Sequence, residues 1–274
     1  MKTIRKGTAG KATLRLVQTE KEFVGLVIEG GKTLFQTRGQ DADTVWSALQ
    51  AELSRGGSNW FGHAGARSRF LHWFAGGFHS PAYLKNERDY KLRAKERLEQ
   101  TTPVEAAITG SGHGEAVLTA YRATNLLYPI EKTRLQKLLR GPDADSFVRA
   151  AARFAVSDGV GPEAKAALTT MERLLIPHDN AKWTVVTYLP FLWRPESHIF
   201  LKPEVTKDFA SRVMHRLADD YEAGLNPRVY GSLLDMAEGI RAAFANLEPR
   251  DMIDIQSVIW VVGDYRDGRE QPQQ

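Results

Sequence analysis

The chain has 274 residues, 42% of them hydrophobic and 26% charged, and its 37 Lys and Arg against 33 Asp and Glu give a formal net charge of +4. That composition belongs to an ordered globular protein with a sizeable core, in one large domain or two modest ones, and excludes collagen-like and low-complexity chains. The absence of cysteine excludes disulfide frameworks, thiolate catalysis and cysteine-ligated zinc or iron–sulfur clusters.

No apolar run approaches the roughly 20 residues of a membrane span. The amino terminus carries charges without a following apolar stretch, so a cytoplasmic chain with no export signal and no membrane contact is expected. The charge is unevenly spread. Residues 1–100 hold 17 cations and 10 anions, and residues 101–274 hold 20 and 23. Between Arg55 and Arg97 there are nine cations and three anions, which is the strongest electrostatic feature of the sequence.

In chain order, the runs 12–18, 23–29 and 33–37, punctuated by Gly30-Gly31-Lys32, predict an antiparallel meander. Asp41 or Asp43 can cap a following helix that carries Val45, Trp46, Leu49 and Leu53 at helical spacing. Ala66, Phe70, Trp73 and Phe74 have the spacing of a buried helix face, and Ser80-Pro81 opens a helix that runs to about Gln100. The stretch Gly110-Ser-Gly-His-Gly114 reads as a linker. Beyond it, helices are expected over 115–127, 130–139, 144–155, 162–175, 207–221 and 228–247. A last helix is capped by Asp251, with Asp254 at its third position and Gly263 as its stop.

The segment 183–193 (Trp-Thr-Val-Val-Thr-Tyr-Leu-Pro-Phe-Leu-Trp) is β-branched and aromatic without a helical stripe. It reads as a strand that pairs with 199–202 in a hairpin. The expected fold class is therefore α+β: a small N-terminal antiparallel β-meander with helices, then a mainly helical C-terminal part containing one β-hairpin. The expected domains are an N-terminal one over 1–108 with the basic region, a helical one over 115–263, and a disordered tail over 264–274.

Aromatic rings beside cations suit nucleic acid, because bases stack on rings while Arg and Lys neutralise phosphates. Trp60, Phe61 and Phe78 lie outside the buried-face pattern in Gly-flanked turns and are the rings expected to be exposed for stacking. Arg67 and Arg69 accompany them. On the next helix Arg88, Lys91 and Lys95 fall within about 60° of one another at about 100° per residue, a stripe able to track phosphates. The same residues also fit a solvated face with Glu87 and Lys91 paired at i, i+4.

The Gly110–Glu115 loop lacks the Gly-Lys-Ser/Thr of a phosphate-binding loop and does not fit the dinucleotide fingerprint. His113 and Glu115 are two metal-capable residues without a third. No zincin or serine-hydrolase motif is present, so no catalytic residue, metal site or cofactor is assigned.

The stretches Phe61-Gly62-x-x-Gly65-Ala66-x-x-Arg69-Phe70-Leu71, Gly76-Gly77-Phe78-His79 and Glu87-Arg88-Asp89-Tyr90-Lys91 resemble an uncharacterised group of bacterial proteins. Pro190 to Pro195, Phe200 to Pro203 and Pro249 to Ser257 are similar to the same group. The resemblance covers most of the chain and implies a prokaryotic cytosolic setting near defence or mobile-element genes. It brings no activity and no catalytic residues.

Three functions remain open on the sequence. The first is a non-catalytic nucleic-acid-associated protein, binding DNA or RNA through Trp60, Phe61, Arg67, Arg69, Arg88, Lys91 and Lys95. The second is a protein-interaction subunit or adaptor that uses the 183–193 strand as an edge. The third is a metal-dependent or phosphate-directed enzyme near His113.

Overall fold

The computed structural model describes residues 2–9, 12–54 and 60–265. Arg55, the side chain of Leu53 and the tail beyond residue 265 lie outside the described residues. An N-terminal sheet and helix pack beside a larger helical body.

The sheet is an antiparallel meander in the order β1-β2-β3-β4: β1 Lys2–Ala9, β2 Ala12–Gln18, β3 Phe23–Glu29 and β4 Lys32–Gly39. The first strand adds to the three expected, because its Lys-Thr-Ile-Arg-Lys-Gly run is largely exposed and carries little apolar alternation. Gly30 and Gly31 both have positive φ, 56° and 78°, the conformation a two-residue hairpin turn requires. Helix α1, Ala42–Ser54, begins where Asp41 accepts the backbone N–H of Thr44 at 2.7 Å. Its Val45, Trp46 and Leu49 bury against Leu14, Leu16 and Val27 to form a small apolar cluster of their own.

The helical body contains α2 Gly62–Trp73, α3 Pro81–Tyr83, a π turn over Leu84–Arg88, α4 Asp89–Thr101, α5 Val104–Thr109, α6 Gly114–Arg122 and α7 Pro129–Leu139. It continues through α8 Ala144–Val156, α9 Pro162–Leu175, α10 Trp183–Trp193, α11 Pro203–Arg212, α12 Leu217–Asp220, α13 Pro227–Ala243 and α14 Met252–Asp264. One apolar cluster runs through this body from Trp60 to Tyr265. The Gly110–Gly114 connection is seated on it. Gly112 N–H donates to Asp145, and a Cβ on Gly114 would lie 2.2 Å from the carbonyl of Leu139.

The expected hairpin at 183–202 is overturned. Residues 183–193 form α10, all eleven of them buried, and 199–202 is irregular; among the described residues the N-terminal meander is the one sheet. A helix buried on every side has no polar face, so it shows no stripe, and its Trp, Val and Thr content then imitates a core strand. Its polar atoms are satisfied one by one. Thr187 Oγ1 donates to the Trp183 carbonyl at 2.6 Å, and the indoles of Trp183 and Trp193 donate to the carbonyls of Glu222 and Thr102. Leu201 N–H, which would have paired in a hairpin, donates to Thr187 Oγ1 instead.

The expected helix over 207–221 divides into α11 and α12 around Met214, whose φ is +54°. No helix among the described residues is long and apolar enough to cross a membrane.

Candidate functional site

The residues expected to face a ligand are mostly turned inward. Trp60 is 3% exposed, with its ring against Phe209 and beneath the Arg212 guanidinium, and Phe61 is 0% exposed in the cluster under the sheet. Both rings lie where the two apolar clusters meet, and Phe78 is fully buried in the larger cluster, so the expectation that the three are exposed is corrected. Arg69 donates to the carbonyls of Val262 at 3.0 Å and Tyr265 at 2.6 Å, closing the last turn of α14. Arg67 is half-buried beside Asn246, and Lys95 is half-buried with Glu99 at 3.1 Å.

Arg88 and Lys91 belong to an internal network between the π turn, α4 and α14. The wider π turn aims Glu87 and Arg88 at α14 together. Arg88 reaches both carboxylates of the α14 amino terminus, Asp251 at 2.6 Å and Asp254 at 2.8 Å. Asp254 also accepts Tyr83 Oη at 2.6 Å and the backbone N–H and Nε of Arg250. Lys91, 0% exposed, donates to Glu87 at 3.1 Å and to Ser257 Oγ at 2.9 Å, while Tyr265 Oη donates to the other Glu87 oxygen.

Three cations (Arg88, Lys91, Arg250) therefore meet three carboxylates (Glu87, Asp251, Asp254), and the network is neutral. Burial works against charge at Asp254, but the hydrogen bonds from Arg250 and Tyr83 win and hold its pKa below the usual carboxylate value. At Lys91 burial wins over Glu87 and its pKa is lowered. Neutralised, packed charge of this kind organises a core rather than recruiting a ligand. The i, i+4 pairing of Glu87 with Lys91 is as the sequence implies, but it is internal rather than solvated.

The exposed cations of α4 are Arg93 and Arg97. At about 100° per residue they lie roughly 40° apart and Arg93 is about 160° from Lys91, on the opposite side of the helix. Neither makes a salt bridge among the described residues. With Tyr90 they form one wall of a cavity of about 460 Å³, lined elsewhere by Arg122 at the end of α6, by Thr124 and Asn125 just after it and by Lys132 on α7. Four cationic side chains and no carboxylate line it.

Lys132 donates to the Thr124 carbonyl, and Arg122 to Gln136, so both are braced, while Arg93 and Arg97 have no ion-pair partner among the described residues. Burial lowers the Lys132 pKa, a cost that an arriving anion relieves. Burial, aided by Glu87, keeps the Tyr90 phenol well above its usual pKa, so it stays a neutral donor. The cavity can therefore hold a multiply charged oxyanion by charge and by directed N–H and O–H groups.

The α8–α9 groove, with Arg149, Arg153 and Arg173 beside Glu163, is the second basic depression and is less one-sided. Near the Gly110 loop, Glu115 is held by Arg140 and does not meet His113, whose Nε2 is buried without a hydrogen-bond partner. Among the described residues no three His, Asp or Glu side chains converge as metal ligands.

Arg93 and Arg97 fall within the basic region seen in the sequence, but Arg122 and Lys132 do not. A signal for the pair was available. Ala94 and Leu98 flank Lys91 at i+3 and i+7, so taking these apolar residues as the buried face turns Lys91 in and Arg93 and Arg97 out. The chain matches no family model, no curated protein and no solved structure.

Proposed function

We propose that the protein is a non-catalytic nucleic-acid-binding protein that holds backbone phosphates in the cavity of Arg93, Arg97, Arg122 and Lys132. The observation that carries this reading is the lining: four cations and polar donors with no carboxylate. A phosphate diester backbone matches that chemistry, since guanidinium groups bind its oxygens in pairs and released counterions drive association.

The test is fluorescence anisotropy of labelled single-stranded DNA, duplex DNA and RNA against the protein at several salt concentrations. Binding that weakens steeply with salt, and whose salt slope shrinks in Arg93→Gln/Arg97→Gln, supports the reading. Absence of binding to all three at low salt overturns it.

A second reading, an interaction subunit, is favoured by β4. It is an edge strand of the meander with Leu34 58% exposed, and an edge of that kind can pair with a strand of another protein. Light scattering across a concentration series distinguishes a self-pairing edge from a monomer.

A further inference from the structure

A second cavity of different chemistry lies across α7 from the cationic one. The amino-terminal turn of α7 separates them: Lys132 lines the first, while Tyr128 and Glu131 line the second, which has a volume of about 370 Å³. Tyr128 is 58% exposed and Trp260 on α14 is half-buried at the opposite wall. Between the rings sits Lys202, its ammonium 5.2 Å from the Tyr128 ring and 4.2 Å from the Trp260 ring. Lys202 makes no salt bridge among the described residues.

Three carboxylates (Glu131, Glu204 and Asp264) and two lysines (Lys182 and Lys202) line this cavity, so its net charge is small. The Glu131 carboxylate is committed to Tyr128 N–H at 2.9 Å, Thr184 Oγ1 at 2.9 Å and Lys182 at 3.6 Å. Glu204 is engaged by Lys207 at 2.8 Å. A site with two accessible rings and little unbalanced charge suits a flat, neutral, polar heterocycle better than a phosphate.

We propose that the Tyr128–Trp260 cavity takes an unpaired nucleobase, so that the nucleic acid bound by this protein is single-stranded where it crosses α7. The inference rests on the phosphate reading of the neighbouring cavity. Its carrying observation is the juxtaposition. Tyr128 and Lys132 are one turn apart, about 6 Å along the helix, so a phosphate at Lys132 and a base on Tyr128 belong to one nucleotide or to adjacent ones. Every base offers a face to an aromatic ring, and Lys202 adds a cation–π contact and a donor for a base carbonyl or ring nitrogen. A duplex keeps its bases stacked within the helix and out of such a cavity. The phosphates are thus held by α4, α6 and α7, and the base by α7 and α14.

The test is anisotropy with a labelled oligothymidylate, an abasic oligonucleotide of the same length and a duplex, on wild type, Tyr128→Ala, Tyr128→Phe and Arg93→Gln/Arg97→Gln. Tyr128→Ala retains the backbone N–H that binds Glu131 and changes an exposed ring, so the fold is kept. The expected result is a loss of about 5- to 150-fold on oligothymidylate with an unchanged salt slope. Tyr128→Phe restores the affinity, and on the abasic strand the loss disappears.

An unchanged affinity in Tyr128→Ala, or an equal loss on the abasic strand, overturns the base site. If Arg93→Gln/Arg97→Gln still flattens the salt slope in that case, the phosphate cavity stands and the base cavity falls. If no probe binds at low salt, both fall.

Discussion

Helix α4 and the π turn before it carry two sets of cations that do opposite things. On the inner side Arg88 and Lys91 are sunk into a neutral network with Glu87, Asp251 and Asp254. On the outer side Arg93 and Arg97 face a cavity with no carboxylate in its lining. Residue type does not separate the two sets; the direction in which the apolar neighbours turn the helix does. The inner set fixes α4 against α14, and the outer set, by the proposed function, is left free for phosphate.

The comparison breaks most visibly in stability. Arg88→Ala leaves the buried Asp254 and the partly buried Asp251 without their shared cation and is expected to cost about 3–5 kcal/mol in urea unfolding. A loss under about 1 kcal/mol there contradicts an organising role for the inner set. Lys91→Met is expected to cost about 3 kcal/mol, because Glu87 keeps its charge in the interior. Adding Glu87→Gln, which still accepts from Tyr265, is expected to recover most of that loss. Failure to recover would mean that Lys91 acts through packing rather than through its charge.

Acid sharpens the contrast further. The folded-state pKa of Asp254 is depressed, so its stabilising contribution is fully present above the unfolded value of 3.8 and is lost as pH falls through the lower folded value. Lys91 has the same sign at the other end of the scale. Its lowered folded pKa makes its charge a burden that lifts as pH rises toward the unfolded value of 10.5. Acid unfolding followed by circular dichroism on wild type and Asp254→Asn is expected to show the variant less stable at neutral pH and less sensitive to acid below pH 3.8. Parallel acid limbs would remove Asp254 from the explanation. The smallest stability effect belongs to the outer set: Arg93→Gln/Arg97→Gln is expected to leave the unfolding free energy within about 0.5 kcal/mol of wild type.

The sequence made the local devices legible and hid the assembled ones. Three strands of the meander, the Gly30-Gly31 turn and the Asp41 and Asp251 caps are written in short spacings, and each takes its expected form. Helix α10 was not legible, because burial on all sides erases the periodicity that distinguishes a helix from a strand. The Asp251 and Asp254 pair shows why a partial reading misleads. Asp251 does cap α14, but both carboxylates also receive Arg88 from the π turn more than 160 residues earlier in the chain, which no local pattern reveals. The cationic cavity was half-visible. Arg93 and Arg97 raised the regional charge, while Arg122 and Lys132 join them through the packing of α4, α6 and α7, which sequence order does not encode.

The most direct measurement is the salt slope of single-stranded DNA binding in wild type and Arg93→Gln/Arg97→Gln, taken on preparations whose unfolding free energies have been matched. Loss of two phosphate contacts is expected to reduce the slope of log K against log salt by about 1.4, at about 0.7 per contact on a single strand. An unchanged slope in a variant that binds and is fully folded would contradict phosphate binding by the outer face of α4.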